Sequence, residues 1–101
     1  MKKLSKNETK KRLKKLQHWS LRNGSLFRFL TLKDFKSAVE LLNKILPLAE
    51  KMSHHPDVEI KNYNEMIIKL RTHDIGGISE YDFKLAKEIE KLISNYNEDK
   101  K

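Results

Sequence analysis

Asn23-Gly24 stands between two β-prone runs, QHWSLR and SLFRFLT, and this pair restricts the fold more than any other feature of the sequence. A two-residue type I′ turn needs positive φ at both central positions, which Asn and Gly accept at little cost. The chain is thereby committed to an antiparallel hairpin with a defined register. Arg22 faces Ser25, Leu21 faces Leu26, Ser20 faces Phe27, Trp19 faces Arg28 and His18 faces Phe29. Trp19 and Leu21 then share a face with Leu26 and Arg28, where a Trp–Arg stack is open, and Phe27 and Phe29 lie on the other.

A second strand pair follows from DVEIK and EMIIKLRT, joined by a tight turn around Asn62-Tyr63-Asn64. In it Met66, Ile68 and Leu70 alternate with Ile67, Lys69 and Arg71, as a half-buried strand should. Between the pairs, Thr31-Leu32-Lys33-Asp34 reads as a capping-box start with the Thr31 hydroxyl as cap. Behind it Phe35, Ala38, Val39, Leu42, Ile45, Leu46 and Ala49 recur at helical spacing and form the main core helix. Pro47 should kink that helix or end it near Leu46. His73 closes the last strand, Gly76-Gly77 turns the chain, and Ser79-x-x-Asp82 caps a final helix. Its stripe is Asp82, Leu85, Ala86, Ile89, Leu92, Ile93 and Tyr96.

Upstream, residues 7–15 suit a short, weakly amphipathic helix capped by Ser5 or Asn7, with Leu4, Leu13 and Leu16 as its apolar anchors. The element order is α-β-β-α-β-β-α. The expected fold is an α+β two-layer domain: a four-stranded antiparallel sheet with three helices on one face. Residues 1–101 read as a single domain, with 1–6 and 97–101 flexible.

A chain of 101 residues buries roughly 60–70% of its unfolded surface, enough for one core. Cysteine is absent, so there is no disulfide framework and no thiol nucleophile. No apolar run approaches the roughly 18 residues of a membrane span and no signal peptide is apparent, so a soluble cytoplasmic protein is the simplest reading. The net charge of +8 invites a nucleic-acid partner, but residues 1–15 carry eight Lys/Arg against Glu8, leaving +1 for the rest. Such a basic N-terminal arm is more often a solvated face than a binding surface, and a dedicated nucleic-acid role is not expected.

Three of the four histidines fall within residues 50–82: the adjacent pair His54-His55, followed by Pro56, and His73. Neighbours at a strand start point to opposite sides of the backbone, and Pro56 favours extended geometry at His55. If the flanking strands are hairpin partners, His73 comes to the same end of the sheet. Imidazole titrates near neutral pH, so such a group can donate and accept protons, with Glu50 or Asp82 orienting a ring. A metal site is chemically allowed, but H-x-H and H-x3-H spacings are missing. The plainest alternative is structural. The pair would be surface turn chemistry, Asp82 an ordinary first-turn carboxylate and Glu50 a helix-end charge.

Taken together, Glu50-x3-His54-His55-Pro56-x6-Tyr63-x9-His73-x8-Asp82 resembles the signature of the pterin-4a-carbinolamine dehydratases. Trp19, LKDF at 32–35, AEK at 49–51 and THD-GG-S-D-LA within 72–86 extend the likeness over about residues 13–93. The chain differs from many members in one extra residue between Pro56 and Tyr63, and in Val58, Ser53 and Pro47. The resemblance implies a hydro-lyase, a 4a-hydroxytetrahydrobiopterin dehydratase type of enzyme. It would dehydrate 4a-hydroxytetrahydropterin to quinonoid dihydropterin in tetrahydropterin recycling, with no metal and no cofactor. It implies His54, His55 and His73 as catalytic residues: His54 and His73 for protons at the 4a-hydroxyl, His55 to bind and orient the ring. Glu50, Trp19, Val58, Glu59 and Asp82 would contact or support the substrate. It further implies a homodimer or homotetramer, for which open sheet edges and spare apolar residues on the 35–49 helix give physical room. A relative with a shifted pterin substrate, such as molybdopterin, or a non-catalytic oligomeric interaction module are the alternatives.

Overall fold

A computed structural model describes residues 2–98 of the chain. Three helices, α1 (Lys6–Leu13), α2 (Phe35–Met52) and α3 (Glu80–Glu98), alternate with two hairpins, β1 (Ser20–Arg22) with β2 (Ser25–Thr31) and β3 (Asp57–Lys61) with β4 (Glu65–Leu70). The order is the expected α-β-β-α-β-β-α. The four strands form one antiparallel sheet in the order β1-β2-β4-β3, so the hairpins meet along β2 and β4 while β1 and β3 are its edges.

The first hairpin turns as its sequence demands, with φ of 50° at Asn23 and 79° at Gly24. Its three inner pairs are Arg22–Ser25, Leu21–Leu26 and Ser20–Phe27. The pairing stops there because His18 adopts a φ of 76°, which takes the preceding chain off the strand path. Across the sheet, one face carries Leu26, Leu30, Met66, Ile68 and Leu70, all buried against the helices. The opposite face carries Phe27, Phe29, Ile67 and Lys69, and Phe29 is exposed.

The apolar arc of α2 is wider than the surface it packs against, and the fold selects part of it. Ala38, Leu41, Ile45 and Ala49 face inward, whereas Phe35 and Leu46 are each 56% exposed. The expected stripe is therefore rotated: Leu41 joins it and Phe35 and Leu46 leave it. The two alanines allow close approach, and α2 packs directly on α3. The cap also differs. Thr31 ends β2, opposite Glu65, so its backbone belongs to the ladder. Extended Asp34 is the N-cap instead, accepting from Ser37 N–H at 2.8 Å. This backbone hydrogen bond holds the Asp34 carboxyl below the usual aspartate range. Pro47 does not end the helix, which runs on to Met52. It sits on the solvent side, where water can take the Asn43 carbonyl that loses its donor.

On α3, Asp82, Leu85, Ala86, Ile89 and Ile93 are fully buried, as their spacing requires. The helix continues into the 97–101 segment as far as Glu98. The Tyr96 side chain, Met1 and residues 99–101 lie outside the described residues. Near the N-terminus, Ser5 and Glu8 form a reciprocal capping box and Leu4 N–H donates to Ile78 C=O at 2.8 Å. Leu4 is thus tied to the body of the protein, and Lys6 opens α1. Among the described residues no helix is long and apolar enough to cross a membrane.

Candidate functional site

Helix α2 ends in a chain reversal that aims the histidine pair. Ser53 is left-handed (φ 49°), and its N–H returns to the Ala49 and Glu50 carbonyls. His54 N–H also returns to Ala49, at 3.1 Å, and Pro56 then leads into β3. Consecutive residues leaving this reversal diverge. His54 turns inward to the helices and His55 outward.

Inward, His54 Nε2 lies 2.6 Å from Asp82 Oδ1 at the start of α3. The other Asp82 oxygen accepts from Thr72 Oγ1 at 2.8 Å and from Ser79 N–H at 2.9 Å. The Thr72 proton is committed to Asp82, so the Ser79 hydroxyl, 2.7 Å away, donates to Thr72. One carboxylate oxygen therefore already accepts from two donors, in a site where Asp82 is fully buried. That pattern suits an ionised carboxylate and assigns the Nε2 proton to His54, which leaves Nδ1 for other chemistry. The Tyr81 ring stands edge-on to the imidazole, at 6.2 Å between centroids.

Outward, His55 Nε2 lies 2.7 Å from Glu50 Oε2, with the two side chains 62% and 64% exposed. Both carboxylates suggested by the sequence thus orient a ring, one each. His73 does not end a strand: β4 stops at Leu70, Thr72 bridges to Gly77, and His73 opens a 3₁₀ turn, His73–Ile75. It is exposed and has no side-chain partner among the described residues. Thr72, its neighbour, shares the Asp82 carboxylate with His54. The three histidines are thereby gathered at one end of the sheet, with His54 enclosed and the other two open to solvent.

Val58 and Glu59 lie on edge strand β3, and with Asp57, Ile67 and Lys69 they line a depression of about 110 Å³. Trp19 is not on an open surface. It is 6% exposed within the core, and its Nε1 donates to Glu90 Oε1 at 2.7 Å. Arg28 meets the same carboxylate through Nε at 2.9 Å and Nη2 at 3.0 Å. The Trp–Arg stack is replaced by a shared anion, because a buried guanidinium needs a counter-charge more than a ring face. Glu90 has no role in the sequence reading. An arginine on the inward face of a strand is the signal that could have pointed to a carboxylate on α3. Thr72 and Ser79 were likewise missed as members of the Asp82 network. Among the described residues no group of three or more His, Cys, Asp or Glu is arranged to hold a metal ion.

Fold and site together define a small α+β protein that holds carboxylate-oriented histidines at one end of an antiparallel sheet. The family model of pterin 4 alpha carbinolamine dehydratase matches residues 2–92, and the chain belongs to that hydro-lyase family. A relative from Sulfurisphaera tokodaii is 46% identical over 94 residues, covering 93% of this chain and 100% of its own. One from Sulfolobus acidocaldarius is 43% identical, covering 89% and 98%. Both carry the provisional name of a pterin-4-alpha-carbinolamine dehydratase. A crystal structure of a transcriptional coactivator/pterin dehydratase from Brucella melitensis superposes with a TM-score of 0.85 at 28% identity, covering 90% of this chain and 98% of that one.

Proposed function

We propose that this protein dehydrates a 4a-hydroxytetrahydropterin to the quinonoid dihydropterin by histidine acid–base catalysis, as a cytoplasmic step of tetrahydropterin recycling. Family membership supports the reaction. The observation that carries the mechanism is the 2.6 Å pairing of His54 with a carboxylate already satisfied by Thr72 and Ser79.

The substrate is a hemiaminal. A proton delivered to the 4a-hydroxyl lets it leave as water, while the lone pair of the adjacent ring nitrogen forms the new C=N bond. Loss of that nitrogen's proton completes the product. His54, with its tautomer held by Asp82, and His73, without a side-chain partner among the described residues, exchange protons at the hydroxyl. His55, steered by Glu50, binds and orients the ring. Each positioned transfer is worth on the order of 10²–10⁴ in rate. Val58 and Glu59 offer the β3 backbone to the ring edge, and Asp82 supports the site from beneath. Trp19, buried in the core on Glu90, supports the sheet rather than touching the ring. Exposed Phe35 and Leu46 and the open edges β1 and β3 suit assembly as a homodimer or homotetramer.

Stopped-flow absorbance of carbinolamine breakdown tests the reading. Wild type accelerates the decay, and His54→Ala lowers that acceleration by about 10²–10⁴. A fully active His54→Ala protein refutes the assignment of roles. No acceleration by folded wild type refutes the reaction.

A further inference from the structure

The end of the sheet that carries the histidines also carries a cation that has no partner among the described residues. Of the four arginines, Arg12 pairs with Glu80, Arg28 with Glu90, and Arg22 lies over the Phe27 ring at 4.4 Å. Arg71 has no such contact. It is half-buried, its Nε is fully buried with no hydrogen-bond partner among the described residues, and no described carboxylate forms an ion pair with it. A buried guanidinium N–H left unsatisfied is costly, so its persistence calls for an explanation.

The surroundings are shaped around this side chain. A Cβ added to Gly24 would lie 3.2 Å from Arg71 Nη1, and one added to Gly76 would lie 3.7 Å from Nη2. The guanidinium therefore rests between the tip of the first hairpin and the turn opened by His73, whose carbonyl accepts the Gly76 N–H at 3.1 Å. Arg71 directly precedes Thr72, which ties to Asp82 and through it to His54. The acidic groups nearest in sequence are engaged elsewhere or stand apart. Asp74 is exposed on the turn beyond His73, Glu65 accepts from Asn62, Glu80 pairs with Arg12, and Asp82 is held by His54, Thr72 and Ser79.

We propose that Arg71 is a substrate-binding residue that takes an oxyanion, phosphate or carboxylate, on the side chain of the pterin. The inference rests on the pterin reading above and narrows it to acidic pterins. The guanidinium presents a planar fork of donors that matches such an oxyanion, and its position beside His73 places the anion next to the reacting ring. The ring itself has no charge for Arg71 to meet.

Pterin fluorescence quenching provides the test, with 6-hydroxymethylpterin as the neutral probe and pterin-6-carboxylate and 6-hydroxymethylpterin phosphate as the acidic ones. Wild type should prefer both acidic probes by about tenfold or more, the worth of one charge-assisted contact, with the preference shrinking as salt rises. Arg71→Gln should bind the neutral probe as wild type does and lose the preference. Arg71→Lys should retain part of it, and serves in place of the Gln variant if that fails to fold. Preference for only one acidic probe identifies which anion is taken. Equal binding of neutral and acidic probes by wild type, or an unchanged preference without the arginine, overturns the role of Arg71 and leaves the pterin reading intact. No binding of any probe by folded protein overturns both.

Discussion

Two adjacent histidines make the same contact in opposite settings. His54 meets Asp82 at 2.6 Å and His55 meets Glu50 at 2.7 Å, yet the first pair is 10% and 0% exposed and the second 62% and 64%. Distance alone would rank them equal. Burial separates them, because a charge removed from water depends wholly on its protein partners whereas an exposed one falls back on solvent. The inner pair is welded to Thr72 and Ser79 and fixes one imidazole in one tautomer. The outer pair, open to solvent, can separate at little cost. A site that must hold one ring rigid and let another adapt is served by such a contrast.

The largest test of this contrast is removal of Asp82. Asp82→Ala strands the His54 proton, the Thr72 hydroxyl and the Ser79 amide together, and should cost about 3–5 kcal/mol in urea unfolding. A loss below about 1 kcal/mol would show that burial does not set the worth of the pair. Glu90→Ala comes next. It leaves Arg28 uncompensated at 7% exposure and Trp19 without its acceptor, for about 2–4 kcal/mol, but should spare turnover per folded molecule. That result would mark the Glu90 network as structural. Glu50→Ala should change stability by no more than about 1 kcal/mol, and any effect should appear in substrate affinity instead. Equal stability losses for Glu50→Ala and Asp82→Ala would break the comparison.

The smallest effect concerns a carboxylate with no histidine at all. Asp34 is held below the usual aspartate range by the Ser37 backbone N–H, so its contribution is fully present at neutral pH and is lost as pH falls through its folded pKa. The urea midpoints of wild type and Asp34→Ala should differ at neutral pH and converge in acid. A difference that persists unchanged at the lowest pH where the fold survives would contradict this account of the cap.

Much of this molecule was legible because it depends on local chemistry. Asn23-Gly24 permits one kind of turn, which set three cross-strand pairs. The period-two run of Met66, Ile68 and Leu70 could lie only on an inward face, and Ser79-x-x-Asp82 could hardly be anything but a helix start. Glu50, five residues from His55, and Asp82, 28 residues from His54, were both candidates to orient a ring, but only Glu50 is within local reach.

Only the tertiary structure decided the remainder, because it depends on which surfaces meet. The apolar arc of α2 exceeds what its neighbours can cover, so its spacing left the choice between Phe35 and Leu41 open until α3 and the sheet closed on it. Thr31 and Asp34 were both able to cap, and the ladder with β4 claimed Thr31. Trp19 and Arg28 met over Glu90, 62 residues beyond the arginine, a pairing with no local trace. Arg71 reads as an ordinary outward strand residue. Its missing partner and its glycine-walled seat exist only once two distant turns are brought together beside His73.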